Sequence, residues 1–279
     1  MASRPNNPAA PPDVSAAPTV SVITISFKDL DGLKRTVDSV RAQRYEGRVE
    51  HIVIDGGSGE EVVEYLSQCE PGFAHWQSEP DGGRYDAMNQ GIAHASGDLL
   101  WFLHSGDRFA DPDAVAQAVE AIGGTAPARE VWGFGIDYLL GLDRVRAPIP
   151  FSIRKFLAGR QVVPHQASFF GSSLVAEIGG YDLDFGIAAD QEFICRAALA
   201  REPITIRRVL CEFDTTGVGS SRTPGAVFGD LRRMWDLHGR FPLGGRRISR
   251  AYLRCREYYA YNSRFWEAVF GRVGKMLPR

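Results

Sequence analysis

Four aspartates stand beside predicted strand ends or helix starts: Asp55, Asp81, Asp107 and Asp190. Asp55 ends a β-branched stretch and is followed by Gly56 and Gly57. Its carboxylate is able to accept hydrogen bonds from a base imide or a ribose, and glycines let a ligand approach the backbone. The alternative is a helix cap with a glycine turn, and the local sequence alone favours that alternative.

The second aspartate belongs to the run Asp81-Gly82-Gly83-Arg84, after which a helix is predicted. A helix N-terminus favours anions such as a diphosphate, and Arg84 would add a fixed positive charge. An ordinary loop followed by a capped helix explains the same residues equally well.

Asp107 and Asp190 suggest two further kinds of chemistry. An acid just past a strand end, such as Asp107, is able to hold a divalent cation that neutralises a diphosphate leaving group. An acid at a helix start in a partly apolar setting, such as Asp190, is able to act as general base on a hydroxyl. The alternatives are a turn at Asp107 and helix N-capping by Asp190, and capping is favoured without further context.

The elements that must position these acids alternate along the first half of the chain. Strands are predicted at 20–27, 51–55, 73–77, 99–103 and 131–136, with helices between them. This alternation predicts an α/β fold with a mostly parallel, covered sheet, in which ligands bind beyond the carboxyl ends of the strands. Asp55 and Asp107 would then share one crevice. The first strand lacks the glycine motifs of dinucleotide dehydrogenases and P-loop NTPases.

Composition fits one large domain with extensions. The chain has 279 residues, of which 44% are hydrophobic, and a net charge of −2, which gives no reason to expect a nucleic-acid partner. We predict a disordered tail at 1–18, a main domain at 19–230 and a basic, aromatic, helical extension at 231–279. The extension holds twelve Lys or Arg against three acids. The scattered cysteines favour reduced thiols and a cytoplasmic protein.

Together these pieces resemble family 2 glycosyltransferases, which have the GT-A fold of nucleotide-diphospho-sugar transferases. The similarity covers about Thr19 to Ser221 and is nearest to the bacterial branch that assembles exopolysaccharides, such as colanic acid. It is carried by the following motifs: Val20 to Ser26, Val53-Ile54-Asp55-Gly56-Gly57-Ser58, Glu79 to Gly83, Tyr85 to Ile92, Gly97-Asp98, Phe102 to Asp107, His165 to Phe170, and Ala189-Asp190 with Arg196.

The resemblance implies a role for each matching residue. Thr24 and Ser26 would lie by the nucleotide, Asp55 would bond the base, by analogy uracil, and Asp81 would lie near the base or ribose. Arg84 departs from the family, which usually has an apolar residue there, and its charge would act on the diphosphate. Asp107 would serve the metal and diphosphate, Asp190 would be the catalytic base, and His165 and Gln166 would lie near the sugar or acceptor. A buried structural role for His165 is the alternative. The family's Asp-x-Asp-Asp metal motif reads His104-Ser105-Gly106-Asp107 here, so Asp107 is the one remaining acid for Mn²⁺ or Mg²⁺. His104 is a candidate ligand for a softer divalent metal or a contact to phosphate.

The resemblance thus predicts an inverting hexosyltransferase that uses a nucleotide sugar, with UDP as the expected nucleotide, and a glycan, lipid-linked or glycolipid acceptor. The alternatives are a nucleotide- or glycan-binding protein with a degenerate metal motif, and a sugar nucleotidyltransferase. In the basic extension, Phe265, Trp266, Val269, Phe270 and Val273 alternate with Arg264, Arg272 and Lys275. Such a segment is able to lie on the inner face of the plasma membrane, to pack on the domain, or to form a solvated face.

Overall fold

The structure is a computed structural model that describes residues 17–124, 126–215 and 223–270, with the backbone alone for 263–270. Most of the predicted tail at 1–18 and the far end of the basic extension lie outside these residues. The predictions for Phe265, Trp266, Val269, Phe270 and Val273, and for the cations around them, therefore concern side chains outside the described part.

The first half of the chain forms a parallel sheet. Its strands lie in the order β3-β2-β1-β4, and helices connect them in sequence. These elements are β1 (Val20–Ser26), α1 (Leu30–Arg41), β2 (Val49–Asp55), α2 (Glu60–Gln68), β3 (His75–Ser78), α3 (Arg84–His94) and β4 (Leu99–His104). Because the strands are parallel, their carboxyl ends meet at one edge, where Ser26 is in register with Asp55, and Asp55 with Ser78. The predicted strand positions are confirmed.

The second half continues the sheet with mixed direction, in the order β4-β8-β6-β9-β5, and β7 pairs with β6. β8 is antiparallel to both of its neighbours, whereas β6 and β9 are parallel. The strands are β5 (Arg108–Phe109), β6 (Trp132–Leu140), β7 (Arg144–Arg146), β8 (Ser168–Gly171) and β9 (Ile204–Asp214). The α/β prediction is confirmed, with the parallel arrangement concentrated in the first half.

The remaining helices cover this sheet. They are α4 (Ala114–Ile122), α5 (Ile153–Leu157), α6 (Ser172–Ile178), α7 (Ala189–Ala200), α8 (Pro224–His238) and α9 (Arg246–Phe270). The predicted boundary between residues 230 and 231 falls inside α8. Phe228 and Leu231 on either side of that boundary belong to the same buried cluster, which also contains Trp235 of α8 and Leu253 of α9. A division at 230 would therefore cut one helix and one core.

α4 begins at Ala114, and Asp111 lies in the turn before it, where its carboxylate accepts a hydrogen bond from the Asp113 amide. In the described part of the chain, no helix is both long and apolar enough to cross a bilayer.

Candidate functional site

Asp55 lies at the carboxyl end of β2, and its carboxylate is bound within the protein. It is fully buried and accepts hydrogen bonds from the Ser58 amide at 2.8 Å, the Ser58 hydroxyl, and the Ser78 hydroxyl at 2.7 Å. A carboxylate has about four acceptor positions, so little capacity is left for a ligand. These contacts match the turn alternative. The base contact implied for Asp55 stays a prediction.

Asp81 lies directly against the loop that follows Asp55. A Cβ placed on Gly56 would lie 3.0 Å from Asp81 Oδ2, so glycine at this position permits the approach. An open cleft of about 640 Å³ borders the same loop. It is lined by Gly57, Gly59, Glu60, Val63, Glu64, Ser67, Ser78 and Pro80. The structure thus brings Asp55 and Asp81 together beside a surface opening.

Two backbone amides just before α3 are bound by nearby carboxylates. The Gly82 amide donates to Asp86 Oδ2 at 2.8 Å, and the Gly83 amide donates to Asp81 Oδ1 at 2.7 Å. Arg84, the first residue of α3, forms no ion pair within the described residues. Its positive charge helps to lower the pKa of the His104 imidazole, after burial and the charge of His165. Arg84 therefore offers a cation at this helix start that is able to meet a phosphate.

The two polar residues of β1 differ in their availability. Thr24 is fully buried, and its hydroxyl lies 2.9 Å from His51 Nε2 on the adjacent strand, so this side chain is engaged inside the sheet rather than at the edge. Ser26, at the strand end, has a buried hydroxyl without a hydrogen-bond partner among the described residues. Of this predicted pair, only Ser26 offers a free polar group.

Asp107 is buried at the end of β4 and faces a second acid. Its Oδ1 accepts from the Asp214 amide at 2.9 Å, and its backbone carbonyl accepts from the Thr36 hydroxyl at 2.6 Å. Burial raises its pKa well above the ordinary value, and the charge of Asp214 adds to this rise. Gly106 has a φ of +95°, and the Asp214 carboxylate lies against it. Asp214, which ends β9, had no signal in the local sequence.

His104 and Asp107 supply only part of a metal-binding set. His104 Nε2 is buried without a partner, and burial, His165 and Arg84 together lower the pKa of this imidazole well below its ordinary value. Across the described ranges, no three His, Cys, Asp or Glu side chains converge on a point where they could hold an ion. A divalent ion here would therefore need phosphate oxygens or water among its ligands, as Mg²⁺ commonly does.

Asp190 occupies the first turn of α7 and does not cap it. The N-cap residue is Ala188, which makes no side-chain cap, so the N-capping alternative for Asp190 is wrong. Within the described ranges, its carboxylate makes only long contacts, at 3.4 Å to Tyr85 Oη and at 3.4 Å to Gln191 Nε2. Such weak bonds leave the carboxylate oxygens able to accept a proton.

His165 lies within the same group of side chains. It is 2% exposed, its Nε2 is 2.7 Å from Tyr181 Oη, and its ring centroid is 5.9 Å from that of His104. Burial lowers its pKa to about 4, and the negative charge of Asp190 opposes that shift. His104, His165 and Asp190 therefore form one cluster in space. Gln166 is buried beside it, and its backbone carbonyl accepts from the Trp101 indole at 2.7 Å.

Known proteins match this chain in sequence. The family model described as glycosyl transferase family 2 matches residues 21–156. An uncharacterized glycosyltransferase of Mycobacterium tuberculosis (strain ATCC 25618 / H37Rv) is 81% identical over 94% of this chain and 100% of its own length. A PGL/p-HBAD biosynthesis glycosyltransferase of Mycobacterium bovis (strain BCG / Pasteur 1173P2) is 30% identical over 65% of this chain and 70% of its own length.

Solved structures match the fold. S. aureus TarS 1-349 in complex with UDP-GlcNAc superposes with a TM-score of 0.65 at 12% identity, covering 92% of this chain and 77% of that chain. The mannosyltransferase PcManGT from Pyrobaculum calidifontis, in complex with GDP-Man and Mn²⁺, superposes with a TM-score of 0.62 at 18% identity. The match covers 95% of this chain and 79% of that chain. At these identities the comparison concerns the fold alone, and it confirms the GT-A prediction. With this architecture and the 81% identical relative, the chain belongs to family 2 of the glycosyltransferases.

Proposed function

We propose that this enzyme transfers a sugar, with inversion, from a nucleoside diphosphate sugar to a hydroxyl acceptor, with Asp190 as the general base. The observation that carries the proposal is the placement of Asp190 at the start of α7, where its carboxylate has only two long contacts to the residues that the structure describes. It also lies within electrostatic reach of the buried imidazole of His165. An inverting single displacement needs one such base on the acceptor side.

In this mechanism, Asp190 takes the proton of the acceptor hydroxyl as its oxygen attacks the anomeric carbon from the face opposite the diphosphate. Arg84 meets the charge that develops on the departing diphosphate, because it is an unpaired cation at the strand-end edge. Asp81 and Ser26 bind the nucleoside portion of the donor, and Asp55 holds the loop that they contact. UDP is the preferred nucleotide, and the hexosyl group is the transferred unit.

We include a divalent cation, Mn²⁺ or Mg²⁺, held by Asp107 with His104 beside it and completed by donor phosphates. Such an ion would supply positive charge to the diphosphate leaving group. The support in this chain is the acid pair of Asp107 and Asp214, whose mutual repulsion a cation would relieve, together with the unpartnered His104 Nε2. The neighbour PcManGT, of the same fold, carries Mn²⁺.

We further propose a lipid-linked or glycolipid acceptor that reaches the enzyme at the inner face of the plasma membrane. A relative named for PGL/p-HBAD biosynthesis supports an acceptor of this kind. The exposed face of α9 supports membrane contact, since Tyr258, Tyr259 and Ile248 are 63%, 64% and 63% exposed. Arg247 and Arg254 lie exposed on the same helix without an ion pair in the described part of the chain.

Replacing the base tests the proposed reaction. Asp190→Asn removes the proton acceptor without changing shape, so turnover should fall by roughly 10²- to 10⁴-fold. The donor affinity should stay near the wild-type value, because Asp190 lies with the acceptor side. Donor binding is measured by thermal shift with UDP-, GDP- and dTDP-sugars, with and without manganese, and turnover by release of nucleoside diphosphate.

Asp184→Asn is the matched control, because Asp184 is an exposed acid just before α7. It should keep wild-type turnover. Full turnover in Asp190→Asn would show that another residue is the base. Stabilisation by a sugar nucleotide without any release of nucleoside diphosphate in the wild type would favour a binding protein.

A further inference from the structure

One tyrosine decides which nitrogen of His165 carries a proton. Tyr181 is buried, and its Oη lies 2.7 Å from His165 Nε2. Among the described residues, this is the only hydrogen bond that the Tyr181 hydroxyl makes. Burial raises the pKa of Tyr181 well above its ordinary value, so the hydroxyl keeps its proton.

The tautomer of His165 follows from that contact. If Nε2–H donated to Tyr181 Oη, both the hydroxyl hydrogen and the bare Nδ1 would lack a partner in the described part of the chain. If the hydroxyl donates to a bare Nε2, only the Nδ1–H lacks one, so this second arrangement is favoured. A neutral imidazole carries its single hydrogen on the other nitrogen, so Nδ1 is an N–H donor. The ring is 2% exposed, and such burial favours the neutral imidazole over the charged one.

The Nδ1 donor has no protein partner. The atom is buried and forms no hydrogen bond in the described structure. Buried N–H groups in proteins are nearly always bonded, so an N–H without a protein acceptor near Asp190 is suited to donate to a ligand oxygen. The ring centroid is 5.9 Å from that of His104, and the charge of Asp190 acts on the ring.

We propose that Tyr181 is a positioning residue that fixes His165 with its hydrogen on Nδ1, and that this N–H donates to a sugar hydroxyl oxygen during transfer. The inference rests on the proposed function, since the sugar is that of the donor or of the acceptor. His165 thereby acts as a hydrogen-bond donor that orients sugar, while Asp190 remains the proton acceptor.

The position of Tyr181 is fixed by two helices. Asn89 of α3 binds its backbone on both sides, donating to the Tyr181 carbonyl at 2.9 Å and accepting from its amide at 2.8 Å. Arg196 of α7 donates to three consecutive carbonyls just before it, those of Ile178, Gly179 and Gly180. α7 carries both Asp190 and Arg196. It therefore fixes the position of the proposed base relative to Tyr181, and through Tyr181 relative to the His165 imidazole, without a ligand.

Nitrogen NMR of the full chain tests the tautomer. The His165 signals are those lost in His165→Gln. In the wild type they should report a bare Nε2 and a protonated Nδ1, and Tyr181→Phe should give a mixture of tautomers. Tyr45→Phe is the matched control, because Tyr45 donates to the Pro18 carbonyl at 2.6 Å, away from this cluster. A protonated Nε2 in the wild type, or an unchanged tautomer in Tyr181→Phe, would overturn the assignment.

Binding and kinetics test the ligand contact. The probes are the glucose nucleotide (UDP-, GDP- or dTDP-glucose) that stabilises the wild type most, its free nucleotide, and octyl glucoside as acceptor. If the contact is to the donor sugar, Tyr181→Phe should bind the glucose nucleotide about three- to tenfold more weakly, with free nucleotide unaffected. If the contact is to the acceptor, the KM for octyl glucoside should rise by about the same factor.

If Tyr181→Phe changed neither the affinity for the glucose nucleotide nor the KM for octyl glucoside, the proposed ligand contact would be overturned. This would hold even if NMR showed the expected tautomer. The proposed function fails separately. Full turnover in Asp190→Asn would refute Asp190 as base, yet it would leave both the NMR result and the binding result for Tyr181→Phe in place.

Discussion

Burial keeps His165 neutral in the folded protein, and the free energy of unfolding therefore depends on pH. Its pKa in the folded protein is about 4, against about 6.5 for an imidazole in an unfolded chain. Between these values the unfolded chain binds a proton that the folded protein does not. Stability from His165 is therefore complete above the unfolded pKa and is lost as the pH falls through this window.

We expect His165 to account for a loss of about 3 kcal/mol in the free energy of unfolding between pH 6.5 and pH 4. His165→Gln should remove this share of the pH dependence. Urea titrations at several pH values in the window measure it. His94→Gln is the control, since His94 is exposed on α3 and should change the slope far less. Equal slopes for wild type and His165→Gln would contradict the buried neutral imidazole.

The position of a single residue in the fold was predictable where it depends on one stretch of chain. Asp107 and Asp190 stand where the sequence pattern placed them, at a strand end and at a helix start. The sequence did not point to Asp214 or Tyr181 as site residues. Each belongs to the site through a contact with a residue elsewhere in the chain, Asp107 for Asp214 and His165 for Tyr181. Asp214 binds Asp107 across 107 positions, and no periodicity records such a pairing. Thr24 was assigned to the nucleotide, yet its hydroxyl contacts His51 on the neighbouring strand.

At the scale of elements, α9 presents two different faces. Ser249 and Leu253 are buried against the rest of the protein, whereas Tyr258 and Tyr259 on the other side are well exposed. Tyrosine rings suit a membrane interface because one end is apolar and the other polar, and arginines beside them attract anionic lipid headgroups. The exposed face of α9 thus fits an anionic membrane surface.

We expect the full chain to float with anionic vesicles and not with vesicles of phosphatidylcholine alone. Arg247→Glu with Arg254→Glu should weaken binding at least roughly tenfold, since each cation near an anionic surface contributes about 1 kcal/mol. Arg207→Glu with Arg208→Glu makes the same charge change on β9, which has exposed arginines, and should keep flotation. Equal flotation of all three proteins would reject α9 as the contact.

Elements were predictable from sequence where they were long and periodic. β1, α1 and β2 follow apolar patterns that their own residues specify. β5 and β7, with two and three residues, are too short to carry a pattern. They are strands because β9 and β6 offer them free backbone edges to pair with.

At the scale of the whole molecule, the basic C-terminal region and the sheet domain share one core. Trp235 of α8 is fully buried, and its indole donates to the Leu157 carbonyl at 2.8 Å. Arg256 of α9 donates to the carbonyls of Ala158 and Gly159. Packing and hydrogen bonds therefore join α8 and α9 to α5 and the turn that follows it.

Trp235→Ala should lower the free energy of unfolding by about 3–5 kcal/mol, because it opens a cavity and leaves the Leu157 carbonyl unbonded. Leu237→Ala on the same helix is the matched control. Leu237 is 56% exposed, so its loss should change stability by about 0.5 kcal/mol or less. Denaturant unfolding followed by circular dichroism measures both. A Trp235→Ala protein as stable as the control would indicate that α8 is dispensable for the core.

The sequence by itself determined the fold class and the order of the strands and helices, because these depend on local periodicity and on glycines at fixed places. It also determined the candidate acids at strand ends, because parallel strands deliver their carboxyl ends to one edge. Only the tertiary structure decided which polar groups are free. Asp55 is bound by serines, and the Gly82 and Gly83 amides just before α3 are bound by aspartates. Among the described residues, Asp190 makes only long side-chain contacts and the Nδ1 of His165 has no partner. Availability depends on distances between residues remote in the chain, which burial and packing set after the elements have formed.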